Sequence, residues 1–154
     1  MRRHAFWQSE RGFTLVEVMV TIIIMAIVFA IASSTWFGAV ESRRVDSATN
    51  QLAADLRQAH SKATNRLADQ TVTLTAGDSD YTLPDSATAD LDGDPIGDIV
   101  SVAATSTIVF KGDGRAVTPA GAAPDPITVR ATNNTANNHT IEINTTTSEI
   151  KVVP

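Results

Sequence analysis

The chain has 154 residues, no cysteine and a formal net charge of −5. This length allows one modest domain plus an extended segment, which argues against a two-domain enzyme with an interdomain cleft. The lack of cysteine excludes a disulfide framework, a thiolate zinc site and a cysteine nucleophile. A mean hydropathy near zero hides a very apolar first third and a polar remainder, so the two parts must be read separately.

The segment 1–12 is short, polar and basic, since three arginines outweigh one glutamate. Residues 13–40 follow as an apolar run of about 28 residues, long enough for a helix to span the hydrocarbon of a bilayer. The only ionisable group in this run is Glu17. Because basic flanks stay on the cytoplasmic side, we predict a membrane helix with its N-terminus inside and its C-terminus outside.

The boundary between these two segments reads Arg11-Gly12-Phe13-Thr14-Leu15-Val16-Glu17. It resembles the type IV prepilin signature, which has a glycine before the cut, a phenylalanine after it and a glutamate as fifth residue of the mature chain. The resemblance implies cleavage between Gly12 and Phe13 by a membrane prepilin peptidase, N-methylation of the new Phe13 amine, and retention of the apolar helix. Glycine suits such a cut because a missing side chain lets a peptidase bind the backbone closely.

Glu17 is the most informative residue of the apolar run, because a carboxylate inside a membrane span is costly and persists with a partner or a function. In pilins the expected partner is the charged N-terminal amine of a neighbouring subunit, which cleavage creates at Phe13. The resemblance therefore implies assembly with other pilin-like subunits on an inner-membrane platform. Two alternatives stay open: a plain signal anchor with a chance glutamate, and a membrane-anchored protein that does not polymerise.

Residues 41–68 contain neither proline nor glycine, and their apolar residues recur at spacings of three and four. This apolar stripe consists of Val45, Ala48, Leu52, Leu56, Ala59, Ala63 and Leu67. Together with the apolar run, it predicts a helix from about Thr14 to about Leu67, roughly 80 Å long at 1.5 Å per residue. We expect the stripe to pack against a C-terminal sheet.

From Thr71 onward the period changes to two, and threonine and branched apolar residues favour strands. We predict strands at Thr71–Thr75, Asp80–Leu83, Ile99–Ala103, Thr107–Phe110, Ile127–Ala131, Thr140–Asn144 and Glu149–Val153. The tail from Thr107 to Val152 resembles that of the GspH/FimT-type minor pseudopilins, a strand ending in Phe, a Gly turn and strands of short apolar alternation. It departs from them at 145–149, where the last hairpin lacks the common glycine.

These features predict an α+β pilin fold, in which a long N-terminal helix, transmembrane and then amphipathic, packs against an antiparallel β-sheet domain. We divide the chain into a prepilin leader at 1–12, a transmembrane and filament-core helix at 13–40, an amphipathic helix at 41–68 and an extracytoplasmic, periplasmic β-rich domain at 69–154. The expected function is that of a minor pseudopilin or pilin in the inner membrane. Type II secretion systems, type IV pili and competence filaments all use such subunits.

One acidic stretch has the spacing of a calcium loop. Asp90, Asp92, Asp94 and Asp98 occupy relative positions one, three, five and nine, as in an EF-hand-like loop. Pro95 stands where such loops use glycine, so a calcium site and a solvated acidic turn are both open interpretations.

Some fimbrial minor pilins of this type bind DNA during natural transformation, which requires basic groups to neutralise phosphate. From residue 67 onward twelve acids face four bases, and the basic patch would consist of Lys111, Arg115 and Arg130. Nucleic acid is therefore not an expected partner, although a DNA-binding minor pilin is kept as an alternative. The three histidines His4, His60 and His139 are scattered and no nucleophile motif is evident, so we do not expect an enzyme.

Overall fold

The computed structural model describes residues 12–85, 87–91 and 100–153, apart from the side chains of residues 34, 35 and 37. Within these ranges it contains one helix, α1 (Leu15–Arg66), followed by short strands. The chain divides into two compact units, the first ending at Gly38 and the second beginning at Ala39. The predicted α+β class, with one long N-terminal helix followed by antiparallel sheets, is confirmed.

The described strands form two antiparallel sheets in the second unit. Their bounds are β1 Gln70–Leu74, β2 Asp80–Thr82, β3 Thr88–Asp90, β4 Val100–Val102, β5 Ser106–Phe110, β6 Ala116–Val117, β7 Ile127–Ala131, β8 Asn138–Ile143 and β9 Ile150–Val153. The first sheet has the order β3-β2-β1-β5-β6 and the second has the order β4-β7-β8-β9. Seven strands overlap the predicted ones, whereas β3 and β6 were not predicted.

In the first unit, large apolar side chains of α1 face outward. They are exposed from Leu15 to Trp36, and this part of the helix is strongly apolar. By length and composition this helix can cross a membrane. Its surface is what hydrocarbon or the apolar face of another helix would cover, so it fits the predicted membrane anchoring.

In the second unit, one apolar core lies between α1 and both sheets. Six members of the predicted stripe are buried there: Val45, Ala48, Leu52, Leu56, Ala59 and Ala63. The prediction was wrong for the seventh member, since Leu67 is 82% exposed. The physical reason is that α1 ends at Arg66 and Leu67 adopts a left-handed backbone conformation with φ of 50°. That conformation turns its side chain away from the buried face.

Hydrogen bonds outside the regular elements join the parts of this unit. The β1–β2 turn of the first sheet bonds β4 of the second, through Gly77 N to Val102 O at 2.9 Å and Val102 N to Asp78 O at 3.2 Å. Arg57 Nη2 on α1 donates to Ile150 O on β9 at 2.8 Å. The helix and the two sheets are therefore tied by polar contacts as well as by the core.

Candidate functional site

The N-terminal end of α1 carries the predicted site, and Thr14 is the residue that precedes the helix. Glu17 N donates to Thr14 Oγ1 at 3.2 Å, and Val18 N donates to Thr14 O at 3.2 Å. Thr14 is therefore the N-cap, and a glutamate three residues after a threonine N-cap is the capping-box pattern. This role of Thr14 was not predicted, although the spacing of Thr14 and Glu17 is the signal that predicts it.

The cap places Phe13 immediately outside the helix, where it is 81% exposed. Gly12, Phe13, Thr14 and Glu17 line one open recess, so the predicted cleavage junction and the acid lie side by side. The N-terminal end of a helix carries a partial positive charge, which favours an anion in the first turn. A free amine at Phe13 would add a full positive charge to this end of the helix, so a nearby carboxylate would be stabilised further.

Two other polar side chains of the apolar run are satisfied within the helix. Thr21 Oγ1 donates to Glu17 O at 2.7 Å, and Ser33 Oγ donates to Ala30 O at 3.0 Å. Such internal pairing is what an apolar environment without water requires. Glu17 differs from these residues because an ionised carboxylate in hydrocarbon needs a counter-charge, which no other residue of 13–40 supplies.

The predicted calcium loop lies largely outside the described residues, which include Asp90 but not Asp92, Asp94 or Asp98. Asp90 ends β3 directly opposite Asp80 on β2, and its main-chain oxygen accepts a hydrogen bond from Gln51 Nε2 at 3.0 Å. Within the described ranges no group of three metal-ligating side chains could hold a metal ion. Calcium binding therefore stays a prediction.

The residues of the predicted basic patch come from both sheets. Lys111 and Arg115 lie in the turn between β5 and β6, beside the C-terminal end of α1. Arg130 lies on β7 of the second sheet, opposite Asn138 of β8. Two of the three cations therefore share one turn of the first sheet, while the third lies on a strand of the second sheet.

The two described histidines make structural contacts. His60 Nε2 lies 3.3 Å from Gly114 O, and its ring meets that of Phe110 at a centroid distance of 5.8 Å. His139 Nε2 contacts Asp46, while its Nδ1 is buried without a hydrogen-bond partner among the described residues. His4 lies outside the described residues.

A buried polar pair that the sequence analysis missed connects α1 to the first sheet. Tyr81 on β2 is 2% exposed, and its hydroxyl donates to Asp55 Oδ2 on the helix. Burial, and then the neighbouring Asp55 carboxylate, raise the pKa of Tyr81, so the phenol stays protonated and remains a donor at neutral pH. No local sequence signal indicates this pair, because its members are separated by 26 positions.

Two known families match this chain. Residues 7–33 match the prokaryotic N-terminal methylation motif, and residues 48–147 match the type II transport protein GspH. The motif includes the start of an exposed apolar helix, and antiparallel sheets follow that helix along the chain. This combination defines a type IV pilin-like protein. The second match covers more than half of the chain, so the protein belongs to the GspH family, as a GspH/FimT-type minor pseudopilin.

This membership gives the protein a coarse function, that of a minor pseudopilin of a type II secretion or type IV pilus system. The family consists of structural subunits rather than enzymes, and its members associate with other pilin-like subunits. Comparisons with curated proteins and with solved structures returned no match.

Proposed function

We propose that this subunit is cut between Gly12 and Phe13 by a prepilin peptidase, methylated on the new amine, and assembled from the inner membrane into a pseudopilus or pilus. The observation that carries the proposal is the methylation-motif match over residues 7–33, which includes the exposed apolar start of α1 and the acid of its first turn, Glu17. Because the basic leader stays in the cytoplasm, the sheets lie on the opposite side of the membrane.

Charge pairing between copies drives assembly in this proposal. The Phe13 amine and the Glu17 carboxylate of one chain are four residues apart, a rise of about 6 Å along a helix. An amine can therefore meet the carboxylate of an adjacent helix when the two subunits are staggered by about that distance. Each pair neutralises two charges that are costly in hydrocarbon, so the staggered arrangement is favoured over isolated helices in lipid.

The cleavage step is tested by producing the full chain with and without an active prepilin peptidase and measuring its intact mass. We expect the loss of residues 1–12 and the gain of a methyl group only with the peptidase. Gly12→Val is the matched variant, since a branched side chain at the cut should leave the leader attached. An uncut wild-type chain beside the active peptidase would favour the membrane-anchored protein that does not polymerise.

The assembly step is tested with two variants of the intramembrane acid. Glu17→Gln keeps the shape and removes the charge, whereas Glu17→Asp keeps the charge on a shorter side chain. Leaving one member of a buried ion pair unpaired costs about 3–5 kcal/mol, which corresponds to a loss of about two to four orders of magnitude in an association constant. We expect normal cleavage of both variants and filament incorporation only of Glu17→Asp. Full incorporation of Glu17→Gln would refute the pairing.

The DNA-uptake alternative has its own test, in which the purified full chain is titrated with duplex DNA at physiological salt. The proposal predicts no binding, because acids outnumber bases in the β-rich domain and only two of the three candidate cations share one turn. Tight binding that weakens steeply with added salt would support the alternative.

A further inference from the structure

Leu67 is an exposed apolar side chain in an otherwise well-buried unit. Among the described residues, every other exposed large apolar side chain lies between Phe13 and Trp36, in the unit that fits a membrane. Leu67 belongs to the second unit and is 82% exposed at the end of α1. A single exposed leucine needs no explanation by itself, but the backbone conformation of this one does.

The backbone of Leu67 terminates α1 in a form that normally uses glycine. Ala68 N donates to Ala63 O at 3.2 Å, the hydrogen bond of a Schellman motif, with Leu67 at the left-handed position and φ of 50°. A leucine is strained there because its Cβ approaches the following carbonyl oxygen. Glycine would end the helix at lower cost, so helix termination does not explain the leucine.

Tertiary packing holds this conformation in place. The turn after β5 brings Gly112 against the main chain of Leu67, so closely that a Cβ added to Gly112 would lie 2.6 Å from the Leu67 carbonyl carbon. The contact involves backbone on both sides and leaves the leucine side chain outside the core. The fold thus presents Leu67 rigidly to its surroundings, and its side chain gains no burial within the chain.

Ion pairs surround the projecting leucine. Lys111 Nζ bonds Asp69 Oδ2 at 2.7 Å, and Lys62 Nζ bonds Asp85 Oδ2 at 2.8 Å. Arg66 Nη1 is 3.8 Å from Asp85, longer than a direct hydrogen bond, and its side chain is 61% exposed. An apolar centre with a charged rim is the usual anatomy of a protein contact site, and here three cations face two carboxylates in a strongly acidic domain.

We propose that Leu67 anchors this subunit to a different pilin-like subunit of the same assembly, by entering an apolar pocket bordered by carboxylates that the Arg66 guanidinium can reach. The inference rests on the proposed function, since it requires a filament or an initiation complex. Another pilin-like subunit is the expected occupant because the family associates with other pilin-like subunits. The fixed backbone lowers the entropic cost of docking.

The contact is tested by placing a genetically encoded photoreactive aliphatic amino acid at position 67 of the full chain, in cells that assemble the filament. Ala54 is the control position, because it is exposed on α1 and lies about 20 Å away along the helix. We expect a cross-link from position 67, and not from 54, to another pilin-like subunit identified by mass spectrometry. No protein adduct, or an adduct with a second copy of this chain alone, would overturn the proposal.

Two substitutions separate the anchor from a role in folding. Leu67→Gly suits the left-handed backbone, so the melting temperature of this variant should be no lower than that of wild type. The amount of partner subunit recovered by co-purification with the chain should fall about tenfold, as for a moderate interface hot spot. Leu67→Met keeps an apolar side chain and should retain the partner. Unchanged recovery with Leu67→Gly would contradict the inference.

These outcomes are distinguishable from a failure of the proposed function. If that function is wrong, the wild-type leader stays uncut or Glu17→Gln is incorporated normally, whatever residue 67 is. If only the Leu67 contact is wrong, cleavage, methylation and the Glu17 dependence are all observed, and Leu67→Gly behaves like wild type in partner recovery.

Discussion

Gly112→Ala should destabilise the second unit through a collision between two main chains. A Cβ at this position would lie 2.6 Å from Leu67 C and 2.9 Å from both Leu67 Cα and Leu67 O, whereas ordinary contacts are 3.4–4 Å. Relief requires a backbone shift of about 0.8 Å, since neither partner is the end of a flexible side chain. Overpacking of this kind costs about 1–3 kcal/mol.

The effect can be measured on a fragment that begins at Ala39. Every buried apolar side chain of the described chain lies between Val45 and Ile150, so this fragment contains the whole core. It contains no tryptophan, and the buried Tyr81 is its one tyrosine, so tyrosine fluorescence reports unfolding. With a urea dependence of about 2 kcal/mol per molar, a loss of about 2 kcal/mol lowers the unfolding midpoint by about 1 M.

Two controls test the stated cause of this loss. Lys111→Ala removes the neighbouring exposed ion pair and should change the midpoint little. The double variant Leu67→Gly with Gly112→Ala should not recover stability, because the collision is with the Leu67 main chain rather than its side chain. A wild-type midpoint for Gly112→Ala, or a full rescue by Leu67→Gly, would refute the reasoning.

Three further substitutions test separate contacts. Tyr81→Phe leaves the Asp55 carboxylate without its hydroxyl donor, and circular dichroism should show a loss of about 1.5–3 kcal/mol on urea unfolding. Ser148→Ala removes the buried bond from Ser148 Oγ to a main-chain oxygen and should cost about 1–2 kcal/mol by tyrosine fluorescence. Because the hydrogen bond from Lys111 lowers the pKa of Asp69, its stabilisation is present above the ordinary carboxyl pKa and is lost as pH falls through the lowered one. Asp69→Asn should therefore reduce the fall in urea midpoint below about pH 4.

Elements whose sequence answers to one physical requirement over a long segment were predicted correctly. The apolar run of 13–40 predicts a membrane helix, because so long an apolar surface is covered by lipid or by other helices. In the single chain that surface is therefore exposed. The six buried positions of the stripe, such as Leu52 and Leu56, follow from helical spacing alone. The strand Ile127–Ala131 was predicted with the bounds it has in the structure, since alternation and branched residues agree over its whole length.

The wrong or missing predictions lie where tertiary contacts, and not the local sequence, determine the end of a helix or the pairing of a strand. Leu67 has the correct spacing for the stripe, but α1 ends one residue earlier without the glycine that usually marks a helix end. The unpredicted strand β3 pairs Asp90 with Asp80, two like charges whose opposition local preferences would disfavour. Its pairing depends instead on packing around the Tyr81↔Ala89 pair on the other face of the hairpin.

The missing glycine of the last hairpin also has a structural explanation. Ser148 takes the left-handed conformation, with φ of 51°, that a glycine would adopt easily. In return its Oγ donates to Gly114 O at 2.6 Å, a bond that glycine cannot make. The departure from the family pattern therefore exchanges backbone strain for a contact between the β8–β9 turn and the β5–β6 turn.

That contact bears on the rigidity of the Leu67 anchor. Gly114 O is reached by Ser148 Oγ from the second sheet and by His60 Nε2 from α1. The turn that carries Gly114 also carries Gly112, which packs on the Leu67 main chain. The helix end is thus held by elements of both sheets within a few residues of the exposed leucine. Because docking costs less when the docking group is already ordered, Ser148→Ala should weaken recovery of the partner subunit even though residue 148 does not contact it.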